Sequence, residues 1–458
     1  MNYVITISKY PELGLVPEAV ENLDFVEWQL DQGGLRNQLD VKIPVVKNDT
    51  QRRAIFCTNI AETSLTIPAI GYVIDTGLQF TVEVSPIMKI TDCKLQPTTR
   101  ASAQQRKGRA GRLGPGKCFR LYSADTAEDF ANQMYTSPKD FDIHLLRIVD
   151  IFGDLLTYPW FKAPRDSEIG WCWSILNESN FAEHDDKECK QIILPDGSLA
   201  MELCRWEVSS DMALFLIRVW RSPLATERIR LQCATIAAFL SFGTASIFKP
   251  KFRYALFVGM GEVEDFPTIG DYPLPSSFCK ANIFIAWLKR EPEDRRAFCE
   301  KMGLFSYGME SINEIRNNIL KTMENRQDVL AQGCTASRVE MDEEAVEMDA
   351  FSRQNFILGH LAAGCFTKLG LVINNGDQIA FVNNDDRSVA KIDRSESNIF
   401  HPVWSCKLVL FHSIRRQANC PWERFIVSHI DPLPWEWPRD IPSSFLQRYI
   451  SHFPEIPD

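Results

Sequence analysis

No two of the chain's 13 cysteines form a C-x-x-C pair. Their odd number and scattered spacing disfavour a disulfide framework and a zinc ribbon, and fit a reducing compartment, cytoplasmic or nuclear. The seven histidines lack metal-site spacing, so no metal centre is expected. No stretch reaches the roughly 18 uninterrupted apolar residues of a membrane span. The opening MNYVITISKYPELG lacks the basic start and long apolar run of a signal peptide. No membrane partner is therefore expected. Positive charge is also short: the net charge is −10 over 458 residues, so general affinity for polyanions is excluded and any nucleic-acid surface must be a local patch. There is no internal repeat of any strength and no G-x-x-x-x-G-K-[ST].

What is there is enough chain for two to four domains, with 45% apolar and 24% charged residues, ordinary values for a globular protein. Residues 1–50 are weakly patterned and stay unplaced, or form a degenerate start of the lobe that continues beyond them. From residue 51 the texture is α/β. RAIFCTN (53–59) and IGYVIDTG (70–77) read as short buried strands, the second stopped by Asp75-Thr76-Gly77. LQFTVEVSPIMKITDCKL (78–95) alternates like a hairpin. ASAQQRKGRAGR is polar and basic with helix formers, and KCFRLYS (117–123) returns to strand.

After about residue 130 helical spacing takes over. IHLLRIVDIFGDLL and SEIGWCWSILNE read as helices. KQIILPDGSLAMELCR reads as two edges around an Asp196-Gly197 turn, so that 129–195 has the texture of a winged helix. SSDMALFLIRVW and TERIRLQCATIAAFLSF have Ser or Thr where N-caps prefer them, and a helical region runs over 196–332. The acidic run 333–353 reads as a solvated linker; Asp342-Glu343-Glu344-Ala345 only superficially resembles D-E-x-H, lacking the histidine and a preceding strand. From 354 to 440 short strands recur, with a hairpin at Asn375-Gly376, suggesting a small barrel for which an OB-fold is one candidate. Residues 441–458 form a tail. Trp171, Trp173, Trp287 and Trp404 are expected in cores; packing is also favoured for Trp422, Trp435 and Trp437, with base stacking the alternative.

Two signatures overlap in QRKGRAGRLGPGKC (105–118). Gly111 to Lys117 spells G-x-x-x-x-G-K. A phosphate loop, however, ends in Ser or Thr and opens a helix. Here Cys118 is a poor ligand for a hard cation, Pro115 removes a backbone donor, and the sequence continues as strand. A turn is the better assignment. Gln105 to Arg112 instead sets Arg106, Arg109 and Arg112 three apart, with almost no bulk between them. From Cys93 to Ala124 there is no acidic residue among eight basic ones, the strongest charge asymmetry in the chain. Spacing alone leaves contact with a nucleotide and a basic or RNA-phosphate surface equally open.

TNIAETSLTI (58–67) follows a strand about 40 residues upstream and places small hydroxyls and an amide at its end. Together, T-N-I-A-E-T-S and Q-R-K-G-R-A-G-R resemble motifs V and VI of the DEAH-box RNA helicases. The resemblance covers roughly residues 50–435. It implies a multidomain α/β, α and β architecture: a partial second RecA-like lobe (51–128), a winged helix, a helical ratchet-like bundle and an OB-like barrel. It further implies that Arg109 and Arg112 contact the γ-phosphate of ATP, that Gln105 positions nucleotide or attacking water, and that Ser64 is the sensor serine. Thr58, Asn59 and Thr63 would hold RNA, and the hairpin at 78–95 would wedge against it. ATP with magnesium would be held mainly by a first lobe. RNA is the implied partner, with a glycine-rich patch protein as an activator in some members.

Two departures matter. Pro68 stands where many members carry an acidic residue, and the phosphate loop and D-E-x-H box of the first lobe are absent. An arginine finger contributes about 10³–10⁵ in rate only opposite a phosphate site. This chain is therefore expected not to hydrolyse ATP alone, although by family it is part of an NTP hydrolase. The alternatives are a non-catalytic RNA-binding or adaptor protein derived from such a helicase, and an unrelated phosphate-loop kinase or ATPase.

Overall fold

The computed structural model describes residues 2–6, 25–30, 52–57, 62, 70–84, 91–110, 115–131, 140–155, 157–160, 163–185, 190–242, 247, 274–332, 348–373, 378–383, 386–393, 408–416, 425–433, 441–442, 447 and 451. They fall into two compact units: residues 1–83 with 92–136, and residues 84–91 with 137–458.

The first unit is built on a five-stranded parallel sheet. Its strands are β1 (Asn2–Thr6), β2 (Phe25–Leu30), β3 (Arg52–Cys57), β4 (Ile70–Asp75) and, after β5 (Leu78–Val84), β6 (Thr91–Pro97) and helix α1 (Arg100–Lys107), β7 (Lys117–Arg120). The order is β2-β3-β1-β4-β7. The weakly patterned N-terminal stretch thus supplies two strands, β1 between β3 and β4, and β2 at the edge. Register places Thr6 beside Cys57 and Asp75, so β1, β3 and β4 end at one level. In an open parallel sheet that carboxyl edge is where ligand-contacting loops emerge.

Gly77 follows β4 with φ +73°, a left-handed turn that glycine adopts without strain. A Cβ there would also meet the Tyr122 ring at 2.5 Å. Helix α1 starts at Thr99, whose side chain accepts from the Ser102 N–H at 3.1 Å. Arg106 and Lys107 occupy its last turn, where cations suit the helix dipole. A short helix α2 (Ala124–Glu128) closes the unit, capped by Ser123. Arg100 ties it down through Nε to the Phe130 carbonyl at 3.0 Å.

The second unit opens with α3 (Phe141–Phe152), α4 (Asp166–Glu178) and an antiparallel pair, β8 (Ala182–Asp185) and β9 (Lys190–Ile193). The expected edge after Asp196-Gly197 is instead helix α5 (Pro195–Leu203). Pro195 sits in its first turn, where a missing N–H costs nothing. Asp196 accepts both guanidinium nitrogens of Arg221, and Gly197 lets the helix approach the Phe181 carbonyl, which a Cβ would meet at 2.1 Å. The glycine serves close packing, and the small hairpin lies one segment earlier, over 182–193.

Helices α6 (Ser210–Arg221), α7 (Glu227–Phe242), α8 (Ser276–Leu288), α9 (Arg295–Lys301), α10 (Ser306–Asn325) and α11 (Gln327–Gln332) form the helical core. Ser209 caps α6 by accepting from Met212 N, and Thr226 caps α7 through Ile229 N. Trp287 is fully buried against Phe284, and Trp171 and Trp173 are half-buried against the same core. Trp404, Trp422, Trp435, Trp437 and most of the acidic run lie outside the described residues.

Strands do not begin at 354: helix α12 (Ala350–Gly364) fills that stretch, its N-terminus capped by Asp349. It packs on α6 so closely that a Cβ on Gly364 would sit 2.6 Å from the Cβ of Phe215. Then come β10 (Leu369–Ile373), β11 (Gln378–Asn383), β12 (Asp386–Ile392), β13 (Leu408–Arg416) and β14 (Phe425–Pro432). Pairing runs β10-β11-β12-β14-β13, and β13 returns to β10, closing a five-stranded barrel. Its interior holds Ile379, Phe381, Val409, Phe411, Phe425 and Val427, with Phe381 edge-on to Phe411 and Phe425.

Charge is buried where α8 meets β13 and β14. Asp431, 0% exposed, accepts from the Ser277 N–H at 2.9 Å and pairs with His412 Nε2 at 2.7 Å. Burial pushes the His412 pKa down, and Lys280 and Lys368 add to this, against the opposing pull of Asp431. Lys368 itself pairs with Asp211 at 2.7 Å. Among the described residues no helix is long and apolar enough to cross a membrane.

Candidate functional site

The basic motif straddles the end of α1. Ala103 and Arg106 face inward, while Gln104, Gln105 and Lys107 are exposed. The helix then tightens: Arg109 N–H donates to the Arg106 carbonyl at 3.0 Å and Ala110 N–H to Lys107 at 3.2 Å. Arg109 is left half-buried on the turn beyond the helix, its Nη2 donating to the Glu62 carbonyl.

The evenly spaced arginines have unequal roles. Arg106 is 2% exposed. Its Nε donates to Glu62 Oε2 at 3.0 Å, and its Nη1 donates to Asp75 Oδ1 and to the Leu78 carbonyl, both at 2.9 Å. Asp75 is fully buried at the carboxyl end of β4. It also accepts from the Gly77 N–H at 3.0 Å and from the Tyr122 hydroxyl at 2.9 Å. Burial, with that hydrogen bond second, pushes the Tyr122 pKa up to about 12. One carboxylate thus ties together the end of β4, helix α1 and the chain just after β7.

Of the residues expected at the site, Gln105 is exposed on α1 and Arg109 stands on the turn beyond it. Thr58, Asn59, Thr63, Ser64 and Arg112 lie outside the described residues. Glu62 is described, and it binds the stretch containing T-N-I-A-E-T-S to the arginine helix through both side chain and backbone. Glu62, Asp75 and Tyr122 went unmarked in the sequence. No local signal singles out Glu62 and Asp75, since Glu83 and Asp92 lie closer in sequence to the cation-rich segment.

Lys117 opens strand β7 and pairs with Tyr72, so no helix succeeds the G-x-x-x-x-G-K stretch. Burial, with Asp75 next in order, raises the Cys118 pKa, keeping a protonated thiol where a phosphate loop carries a magnesium-binding hydroxyl. Lys117 and Cys118, both on a strand, do not fit the end of a phosphate loop.

A parallel α/β sheet with arginines at the end of a helix anchored by a buried ion pair, then a helical core and a small barrel, defines the class. Residues 35–114 match the family model for the helicase conserved C-terminal domain. Over those residues the chain is similar to the C-terminal domain of helicases. It is 33% identical over 165 residues to the ATP-dependent RNA helicase HrpA of Escherichia coli (strain K12), covering 35% of this chain and 12% of that protein. It is 28% identical over 316 residues to the probable ATP-dependent RNA helicase DHX34 of Mus musculus, covering 66% of this chain and 26% of the relative. The human DHX34 is 28% identical over 296 residues, covering 63% and 24%. The chain therefore spans at most 26% of the length of these relatives.

Proposed function

We propose that the chain is the C-terminal part of a DEAH-box ATP-dependent RNA helicase, supplying arginine fingers and RNA contacts to an ATP site whose phosphate loop lies in another lobe. The observation that carries this assignment is the Glu62–Arg106 pair at 3.0 Å, which joins the T-N-I-A-E-T-S stretch to the Q-R-K-G-R-A-G-R helix. In this assignment Arg109 and Arg112 stabilise charge on the γ-phosphate. Gln105 orients nucleotide or water, and Ser64 senses nucleotide state. Thr58, Asn59 and Thr63, in the stretch that follows β3 in the sequence, hold RNA through uncharged donors. Magnesium, held with ATP by the first lobe, supplies charge neutralisation on the phosphates. Hydrolysis by this chain alone is not expected.

The hairpin-containing segment 141–193 corresponds to a winged helix, the surface where a glycine-rich patch activator would dock. The closed barrel corresponds to the OB-fold. The odd number and scattered spacing of the cysteines fit a reducing compartment, cytoplasmic or nuclear. RNA binding is tested by fluorescence anisotropy with a labelled oligouridylate. Binding that weakens with salt is expected, reduced several-fold by Thr58→Ala with Asn59→Ala. Salt-dependent binding unchanged in that double variant would favour the adaptor alternative, with RNA held elsewhere on the chain.

A further inference from the structure

The buried network around α1 has an unequal charge count. Among the described residues, Glu62 (6% exposed) and Asp75 (0%) are two carboxylates, and Arg106 is the one guanidinium bonded to both. Tyr122 contributes a hydroxyl with a pKa of about 12 and so no charge at neutral pH. Two anions against one cation leave an excess negative charge out of water. An uncompensated buried charge is strongly unfavourable, and a second cation held nearby relieves it. Arg109 is placed for this, because its guanidinium donates to the carbonyl of Glu62 itself.

We propose that Glu62 is the positioning residue for Arg109, acting by two routes. Its carboxylate grips Arg106 and so fixes the end of α1, three residues before Arg109. The Glu62 carbonyl then accepts from the Arg109 guanidinium directly, and the surplus negative charge of the Glu62–Asp75 pair favours a cation there. The two routes respond differently to substitution. Glu62→Gln keeps an oxygen acceptor for Arg106 Nε but removes the surplus charge. Glu62→Ala removes both; the main-chain carbonyl of residue 62 survives in either variant, so loosening of Arg109 reports the lost charge. A purely structural role for Glu62 would be rescued by glutamine, whereas positioning of Arg109 would not.

This inference rests on the proposed function only for what the positioning serves; its test needs no nucleotide, RNA or turnover. The full chain is labelled with ¹⁵N-arginine, and the Nε–H signals of Arg106 and Arg109 are assigned through Arg106→Lys and Arg109→Lys. In the wild type both are expected to be ordered, with order parameters near the rigid value of about 0.85. In Glu62→Gln, Arg106 stays ordered while Arg109 falls below about 0.6. In Glu62→Ala both loosen. Asp75→Asn, which removes the same charge from the other side of Arg106, also frees Arg109 and serves if the Glu62 variants do not fold. An Arg109 already flexible in the wild type, or equally ordered in Glu62→Gln or Asp75→Asn, overturns the proposal. Either result is separate from the RNA-binding measurement, whose failure would sink the helicase assignment and leave the Glu62–Arg109 relationship standing.

Discussion

Arg106 Nη1 lies 2.9 Å from Asp75 Oδ1, and both side chains are buried. This pair explains why one arginine of an evenly spaced set turns inward while Arg109 is left half-buried on the turn beyond the helix. One arginine is used inside the unit to fix the helix from which the next one projects. Removing it strands two carboxylates in a low-dielectric site. Arg106→Ala should destabilise the first unit by about 3–5 kcal/mol, the usual cost of breaking a buried ion pair from one side. Arg106→Lys should recover little of it, because an ammonium cannot reproduce the planar fork. Arg109→Ala should cost clearly less than Arg106→Ala, because Arg109 is half-buried and donates to the Glu62 carbonyl instead of bridging both carboxylates. Urea unfolding of the three variants checks the order, and a large effect at Arg109 would reverse the assigned roles.

Tyr122 should titrate late. Burial and its bond to Asp75 place its pKa at about 12, against an ordinary value near 10. The folded state prefers the protonated phenol, so its contribution to stability is complete below about pH 10 and lost as pH rises toward 12. Difference absorbance at the phenolate band, wild type minus Tyr122→Phe, should show that late step; a midpoint near pH 10 would mean the hydroxyl does not donate to Asp75.

Much of this organisation is legible in the sequence, and the exceptions share a physical cause. Strands β3, β4 and β7 and helix α1 announce themselves through local alternation, caps and turn residues. Strands β1 and β2 do not, because what fixes them is pairing with β3 and β4, far along the chain. Asp196-Gly197 reads as a turn because glycine's two uses, a free φ and the absence of a Cβ, look alike in a string of letters. Here the second applies, against Phe181. The arginine spacing pointed to a site, but which guanidinium turns inward is decided by Glu62 and Asp75, 44 and 31 residues away. That partnership is tertiary and leaves no local mark.

Stability of the second unit should fall with acid in two windows. Burial first, then the facing Lys280 and Lys368, hold the His412 pKa below its usual 6.5 despite Asp431. The folded state thus prefers neutral His412, so its contribution is complete above about pH 6.5 and lost as pH falls below it. Asp431 is also held low: burial opposes this, but His412 and Ser277 outweigh it. Its contribution is complete above about pH 3.8 and lost only below that. Unfolding midpoints measured between pH 7.5 and 4 should decline in wild type and flatten in His412→Gln. An equal decline in the variant would assign the acid sensitivity elsewhere.

Gly364 is expected to tolerate no side chain. Its Cβ position lies 2.6 Å from the Phe215 Cβ and 2.8 Å from Phe215 backbone atoms, which cannot swing aside. Gly364→Ala should cost about 1–3 kcal/mol despite the better helix propensity of alanine. Gly359→Ala on the same helix meets nothing within 4 Å and should be neutral or stabilising, so the pair forms an internal control in thermal unfolding.

Above all, the chain is proposed to carry arginine fingers for an ATP held by another lobe. ATP turnover by the purified chain, with and without single-stranded RNA, is the decisive measurement, with Arg109→Ala assayed in parallel. Background hydrolysis is expected in every sample. Turnover that RNA stimulates and Arg109→Ala abolishes would contradict this, because the chain would then hold a complete phosphate site of its own.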